Sequence, residues 1–468
     1  MQIPILSGIY TDNGPDIRTS YPVNLVPVPR RSGISDDYLR PAEGLVQNGT
    51  GPGIDRGGIN WNGLLYRVMG TKLVSVASNG TVTILGDVGG PVTQSVSFDY
   101  SFDRLAIASG TNIYYWNGIL TQITDPDLGP VLPTVIWIDN YFMFTDGEYL
   151  IVTDLTNPLS IDPFKFGSTE VDPDPTVALL KLRNEAYAIN RYTMEVFDSV
   201  DQEGFPFNPI SGAQIEKGAV GTFACCVFNS AIAFVGSGRN EAPGVYLGVN
   251  ANTQKISTQE IDILLLSYTE AQLSQIKVEA RNDRAHQHLY IHLPDRTVVF
   301  DAQASQEIQG LVWFTLTTST VGFAQYRARN FVWCYDRWNV SDPQSTTIGV
   351  MDLTIGSHWG QIVRWEFSTI IVYNQGFGAI FHQMELVSLT GRVTVGTNPQ
   401  ISTSYSKDGI SWSQDRFTTV GTFGATQKRI AWFQMGNMRN WRIQRFRGDT
   451  QAHISIVRLE AQIEPLAA

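Results

Sequence analysis

Between residues 61 and 355 the chain repeats one kind of phrase: an apolar run of four to eight residues with period-two alternation, a Gly, Asn or Asp corner, a second run, then a short polar loop. Instances are "WNGLLYRVMGTKLVSVASNGTVTIL" from 61, "FDRLAIASGTNIYYWNGILTQIT" from 102, "PTVIWIDNYFMFTDGEYLIVTD" from 133 and "VALLKLRNEAYAINRYTMEVFDS" from 177, with later ones starting at 231, 284 and 331. Alternation of this period fits half-buried strands. Asn-Gly and Asp-Gly corners supply the positive φ that a two-residue hairpin needs. Units that restart roughly every 30 to 50 residues match four-stranded propeller blades, so we expect six or seven blades. A parallel α/β sheet would require amphipathic crossover helices, and none is convincing. The best helix candidate is "SYTEAQLSQIKVEA" from Ser267, with Thr269 as its cap and Glu270 in its first turn.

After about residue 360 the runs lengthen ("QIVRWEFSTIIVYN", "AIFHQMELVSLTGRVTV", "KRIAWFQMGNMRNWRIQRFRG"), which suits a separate β-sandwich. Residues 1–55 carry the proline-rich and glycine-rich pieces "YPVNLVPVPRRSG" and "NGTGPGIDRGG" and read as an extended arm. The expected organisation is therefore all-β: an N-terminal arm over 1–55, a propeller over 56–358 and a sandwich over 359–468. At 11% aromatic and 16% charged, the 468 residues agree with large pleated cores.

Three cysteines, with Cys225 and Cys226 adjacent, cannot form a disulfide framework and point to a reducing compartment. Flanked by apolar residues, the adjacent pair reads as buried strand. Residues 1–20 lack a basic start followed by an apolar run, so no secretory signal is read, and no stretch reaches membrane-spanning length. A net charge of −11 repels DNA and anionic membranes on average. The charge is unevenly placed, however, with Arg416, Lys428, Arg429, Arg439, Arg442, Arg445 and Arg447 concentrated near the end. A basic end on an acidic body suggests docking on an acidic partner, or simply a solvated face. The candidate interface residues are Arg429, Arg439, Arg442, Arg445 and Arg447.

In "RAHQHLYIHLPDRTVVFDAQASQ" (284–306) a strand would place His286, His288, Tyr290 and His292 on one face and Leu289, Ile291 and Leu293 on the other. His286 and His292 would then lie about 20 Å apart, too far for one ion, which leaves room only for a two-ligand site at His286 and His288. "SYSKDGISWS" resembles the Asp-box corner of sialidase-type propellers through Ser406, Asp408, Gly409 and Trp412, with the spacing one residue too tight. "EVDPDPTV" holds Glu170, Asp172 and Asp174 but lacks EF-hand spacing, and reads as a rigid surface loop. No phosphate loop, HExxH, GxSxG or CxxC occurs. No catalytic residue, cofactor or metal is therefore expected.

Several pieces together resemble the tail-hub proteins of short-tailed bacteriophages, also called packaged-DNA stabilisation proteins or tail accessory factors. They are "IDILLLSYTEAQLSQ" followed by the "IHLPDRTVVFDA" hairpin, "FGSTEVDPDPTVALLKLRNEAYAINRYTMEVF" with "FPFNPISGAQIEKGAVG", the start "YPVNLVPVP" with "YLRPAEGL", and the basic ending. The resemblance implies a structural virion protein, made in the host cytoplasm and not an enzyme, that assembles as a homohexameric ring or nozzle below the portal and head-to-tail adaptor. It further implies retention of packaged DNA, a channel for ejection with transient contact to genomic DNA, and attachment of a tail needle or plug and of tailspike or fibre proteins, without a membrane anchor. The alternative from fold class alone is a carbohydrate-binding or glycoside-hydrolase propeller.

Overall fold

The computed structural model describes residues 2–3, 21–29, 37–170, 172–200, 202–284, 286–374 and 376–466. Seven four-stranded antiparallel sheets follow one another around a ring. Blade 1 runs Asp55–Trp61, Leu64–Met69, Lys72–Val76 and Val82–Asp87. Blade 2 begins at Ser97, blade 3 at Ile136 and blade 4 at Thr176. Blade 5 splits its first strand into Gly218–Ala219 and Cys225–Phe228. Blade 6 is Lys277–Asp283, His286–His292, Thr297–Asp301 and Trp313–Leu316. The expectation of six or seven blades resolves to seven.

The corners explain why the chain folds back so tightly. Trp61 pairs with Leu64 across Asn62 (φ 52°) and Gly63 (φ 77°), the two-residue turn anticipated for an Asn-Gly corner. Asp139-Asn140 and Asn229-Ser230 do the same with φ values of 46° and 67°, and of 49° and 62°. Asn and Asp tolerate this region, because a short polar side chain satisfies the local backbone.

Each gap between blades holds its own apolar core. Val68, Leu105 and Ile107 fill the first, Ile151 and Phe144 sit with Ala106 and Ile113 in the second, and Leu289 and Trp313 pack on Val235 and Ile256 between blades 5 and 6. The seventh, Leu65, Val74, Val332, Cys334 and Ile348, joins the last blade to the first and closes the ring. At about 1.5–3 kcal/mol per buried large aliphatic, stability is spread over the gaps rather than held in one centre.

Blade 7 is completed from the other end of the chain. Arg329–Cys334, Arg337–Ser341 and Thr347–Asp352 accept Gly44–Thr50 as the outermost strand. Residues 44–50, expected in the arm, instead latch the circle shut. The preceding hairpin, Leu25–Val28 with Tyr38–Pro41, joins the C-terminal domain, and there too the arm reading fails. The prolines that argued against a sheet are tolerated because Leu25–Val28 is an edge strand, where a missing N–H costs nothing. Most of the rest of the expected arm, residues 1, 4–20 and 30–36, lies outside the described residues.

The C-terminal domain is a sandwich. One sheet has the order Leu25–Val28, Tyr38–Pro41, Ile456–Pro465, Ala379–Ser388, Ile430–Phe433, and the other has Arg364–Ser368, Trp441–Asp449, Gln400–Ser406, Arg416–Thr419. Leu25 and Leu39 enter its core beside Trp365, Phe381, Trp432 and Phe446. Thr269 caps Glu270–Leu273, as read from the sequence, and does so through a reciprocal capping box with Gln272, while the end of the candidate, from Lys277, is strand of blade 6. The longer helix Gln259–Leu266 and the helix Ala302–Ile308 were not foreseen.

Candidate functional site

The basic end is built from strand alternation. On Trp441–Asp449, Arg442, Gln444 and Phe446 face the sandwich core, whereas Arg445 and Arg447 face outward. Arg442 is fully buried. Its guanidinium lies 4.0 Å from the ring centre of Tyr405 and 4.5 Å from that of Phe381, donates to Gln444 Oε1 at 2.9 and 2.7 Å and donates to the Met435 carbonyl at 2.6 Å. Burial lowers its pKa to about 10. Arg442 therefore has no surface to offer a partner, and its place in the candidate interface is withdrawn. It is a folding residue.

The other four differ among themselves. Arg445 stacks 3.9 Å over Trp412 and is half-buried, and Arg447 donates to both carboxylate oxygens of Asp415 at 2.8 Å. Arg429 grips Glu385 in a bidentate pair yet stays exposed. Arg439 is exposed, and its side chain makes no hydrogen bond or ion pair among the described residues. Residues 361–468 hold eleven Lys and Arg against seven Asp and Glu, a net +4 within a chain of net −11. The polarity between the two ends is thus real, and of the candidate interface residues Arg429 and Arg439 display it, beside the exposed Arg392, Lys407, Arg416 and Lys428.

A second constellation, absent from the sequence reading, ties the domains together. The backbone at Val23 and Asn24 runs between blade 6 and the sandwich: Asn24 N–H donates to Thr315 O at 2.8 Å, Val23 N–H donates to Glu366 O at 2.8 Å, and Glu366 N–H returns to Val23 O at 3.1 Å. The Asn24 side chain donates to Thr317 O (2.9 Å) and Arg364 O (2.7 Å) and accepts from Thr317 N–H (3.0 Å). Glu43 forms a buried ion pair with Arg281 of blade 6. A similar buried network of Asp55, Arg67, Asn330 and Ser341 joins blades 1 and 7. The one signal for Asn24 was an asparagine beside proline-rich chain, a residue type that accepts its φ of 51°.

The histidine strand folds as read, with three imidazoles and Tyr290 on one face. Asp301, which the sequence reading did not pair with them, lies opposite His288 in register. His286 Nδ1 is 2.5 Å and His288 Nε2 3.3 Å from Asp301 Oδ2. Burial pushes the pKa values of His288 and His292 down to about 4, so both imidazoles are neutral near pH 7.

The remaining motifs are occupied structurally. Asp408 accepts from the Ser411 hydroxyl and from the Ile410 and Ser411 N–H groups, which hold its carboxyl well below the usual range, and Gly409 sits at φ 78°. Asp174 accepts from Tyr192 and Thr193, Asp172 pairs with Arg239, and Glu170 accepts from Ser168. Cys225 and Cys226 alternate on a strand. Burial raises both thiols, Cys225 to about 12, so neither is a ready nucleophile.

Two family models match the chain: "Bacteriophage P22 Gp10, beta-propeller" over residues 1–356 and "Bacteriophage P22 Gp10, beta-sandwich" over residues 364–464. The tail hub protein gp10 of Salmonella phage P22 is 23% identical over 456 residues, covering 94% of each chain. Among solved structures, virginiamycin B lyase from Staphylococcus aureus aligns with a TM-score of 0.43 at 9% identity, covering 64% of this chain and 94% of that one. The Pan2 WD40 domain of Neurospora crassa aligns with a TM-score of 0.42 at 12% identity, covering 66% and 95%. The chain belongs to the phage P22 Gp10 family.

Proposed function

We propose that the protein is a tail hub subunit of a short-tailed bacteriophage, a structural component of the virion tail. The observation that carries this reading is family membership along both domains, propeller and sandwich together. In the finer reading, six copies form a ring below the portal and adaptor, hold packaged DNA, open a channel for its ejection and bear needle and spikes or fibres. The charge distribution supports it. A net −11 chain limits salt-dependent sticking of DNA as it slides past, since each neutralised phosphate adds to the hold. The propeller closed by residues 44–50 and locked to the sandwich through Asn24 suits a part that transmits load.

Docking is assigned to the exposed basic face of the sandwich, through Arg429 and Arg439. We read the chain as non-enzymatic, because the carboxylates that suggested a glycosidase already serve its corners and loops. The test is assembly. Purified protein mixed with portal and adaptor is imaged by negative stain, with the R429E/R439E variant alongside. Rings seated on the adaptor with the native chain and lost with the variant support the reading. A monomer that ignores portal and adaptor but is retained on a polysaccharide array would replace it with the carbohydrate alternative.

A further inference from the structure

We propose that His286, His288 and Asp301 form a binding site for one divalent transition-metal ion of the zinc type. Their ligand atoms all lie within 4.8 Å of one another, and all three residues are buried. The site arises from the hairpin: His288 and Asp301 are register partners on adjacent strands, and His286 stands two positions back on the same face, its ring stacked on that of His288 with 5.0 Å between centroids.

The surrounding contacts prepare the three atoms for a cation. The Oδ1 atom of Asp301 accepts from Gln287 N–H at 3.3 Å and from Ala304 N–H at 3.2 Å, which fixes the carboxylate and leaves Oδ2 pointing between the rings. The Nδ1 atom of His288 faces the Tyr290 hydroxyl at 3.4 Å; donating its proton there leaves the Nε2 lone pair free. That Nε2 is buried and faces the shared Asp301 Oδ2 3.3 Å away, with no other partner among the described residues. A buried imidazole lone pair facing a carboxylate oxygen is costly, and a metal ion between the two is the partner that their chemistry fits.

The spacing is close to what is needed. Ligand bonds of about 2.0–2.2 Å in tetrahedral geometry separate neighbouring ligand atoms by roughly 3.3–3.5 Å. The His288 to Asp301 distance of 3.3 Å already agrees, and the His286 to Asp301 distance of 2.5 Å must open. His286 is the first residue of its strand, so the opening falls at the strand's end. Two imidazoles and one carboxylate are three protein ligands, which would leave a fourth position for water.

The full chain, stripped with a chelator, would be titrated with Zn2+ against a chromophoric competitor and with Co2+ in the visible range. Expected are one ion per chain, the absorption of tetrahedral Co2+, and a rise in Tm with added Zn2+. His286→Ala, at the start of its strand, should weaken binding on the order of 100-fold. Asp301→Asn keeps an oxygen for the Gln287 and Ala304 N–H groups while replacing the ligand oxygen, so it should fold by circular dichroism and lose the cobalt spectrum. Native protein that takes up no Zn2+, or that binds it as tightly after His286→Ala, would overturn the proposal.

Discussion

Replacing Asn24 by alanine tests whether the N-terminal segment is a lock between the two domains. The side chain makes three hydrogen bonds with main-chain groups of Thr317 and Arg364, and its backbone holds φ 51°. Each bond is worth about 1 kcal/mol net, and a left-handed alanine adds about 1 kcal/mol relative to asparagine, so Asn24→Ala should cost about 4 kcal/mol. At roughly 2 °C per kcal/mol for a domain of this size, the main transition should fall by about 8 °C in scanning calorimetry. The loss acts at the seam, so the sandwich should begin to unfold separately from the propeller, and limited proteolysis should cut between the domains earlier. Asn24→Gly separates the two contributions, because glycine accepts the backbone conformation and loses only the bonds, about 3 kcal/mol. If both variants melt within about 1 °C of the native protein and resist protease equally, the lock does not exist.

Two further perturbations follow from the buried groups. Arg442→Met leaves Gln444 Oε1 and the Met435 carbonyl without their donor and should destabilise by about 2–4 kcal/mol in urea melts, whereas Arg439→Glu should stay within about 0.5 kcal/mol of native. Equal melting midpoints for the two would undo the separation of folding from docking arginines. His358 is buried beside Thr318, Tyr326 and Arg327, and burial, reinforced by the Arg327 charge, lowers its pKa to about 3. The unfolded chain takes up a proton near pH 6.5 that the folded state refuses until about pH 3. Its contribution is therefore complete above pH 6.5 and shrinks as pH falls, by about 2 kcal/mol at pH 5. The stability gap between native protein and His358→Gln should narrow by that amount from pH 7.5 to pH 5, and a gap independent of pH would contradict the assignment.

The architecture was legible because its cause is local. Alternation and Asn-Gly corners specify hairpins within a few residues, and blades are hairpins in series. The latch was not legible, because Gly44–Thr50 pairs with Thr347–Asp352 some 300 residues away, and local pattern carries no information about which edge a strand completes. Proline content misled for a related reason: it excludes a central strand, not an edge one, and the edge is where Leu25–Val28 lies.

The two sites show how far periodicity could have gone. In "WRIQRFRGD" Arg442 is four residues from Phe446 and so shares its face, while Arg445 and Arg447 take the other; counting by two was enough to remove Arg442 from a docking surface. The same arithmetic reaches Asp301. Once Pro294 and Asp295 are taken as the corner, with Leu293 N–H donating to Arg296 O at 2.9 Å, His292 must face Thr297, and each step back along one strand is a step forward along the other. His288 then faces Asp301 by register alone. A carboxylate opposite an imidazole is thus a product of turn length, and changing that length by one residue would move Asp301 to the other face and abolish the cluster without altering any of its residues.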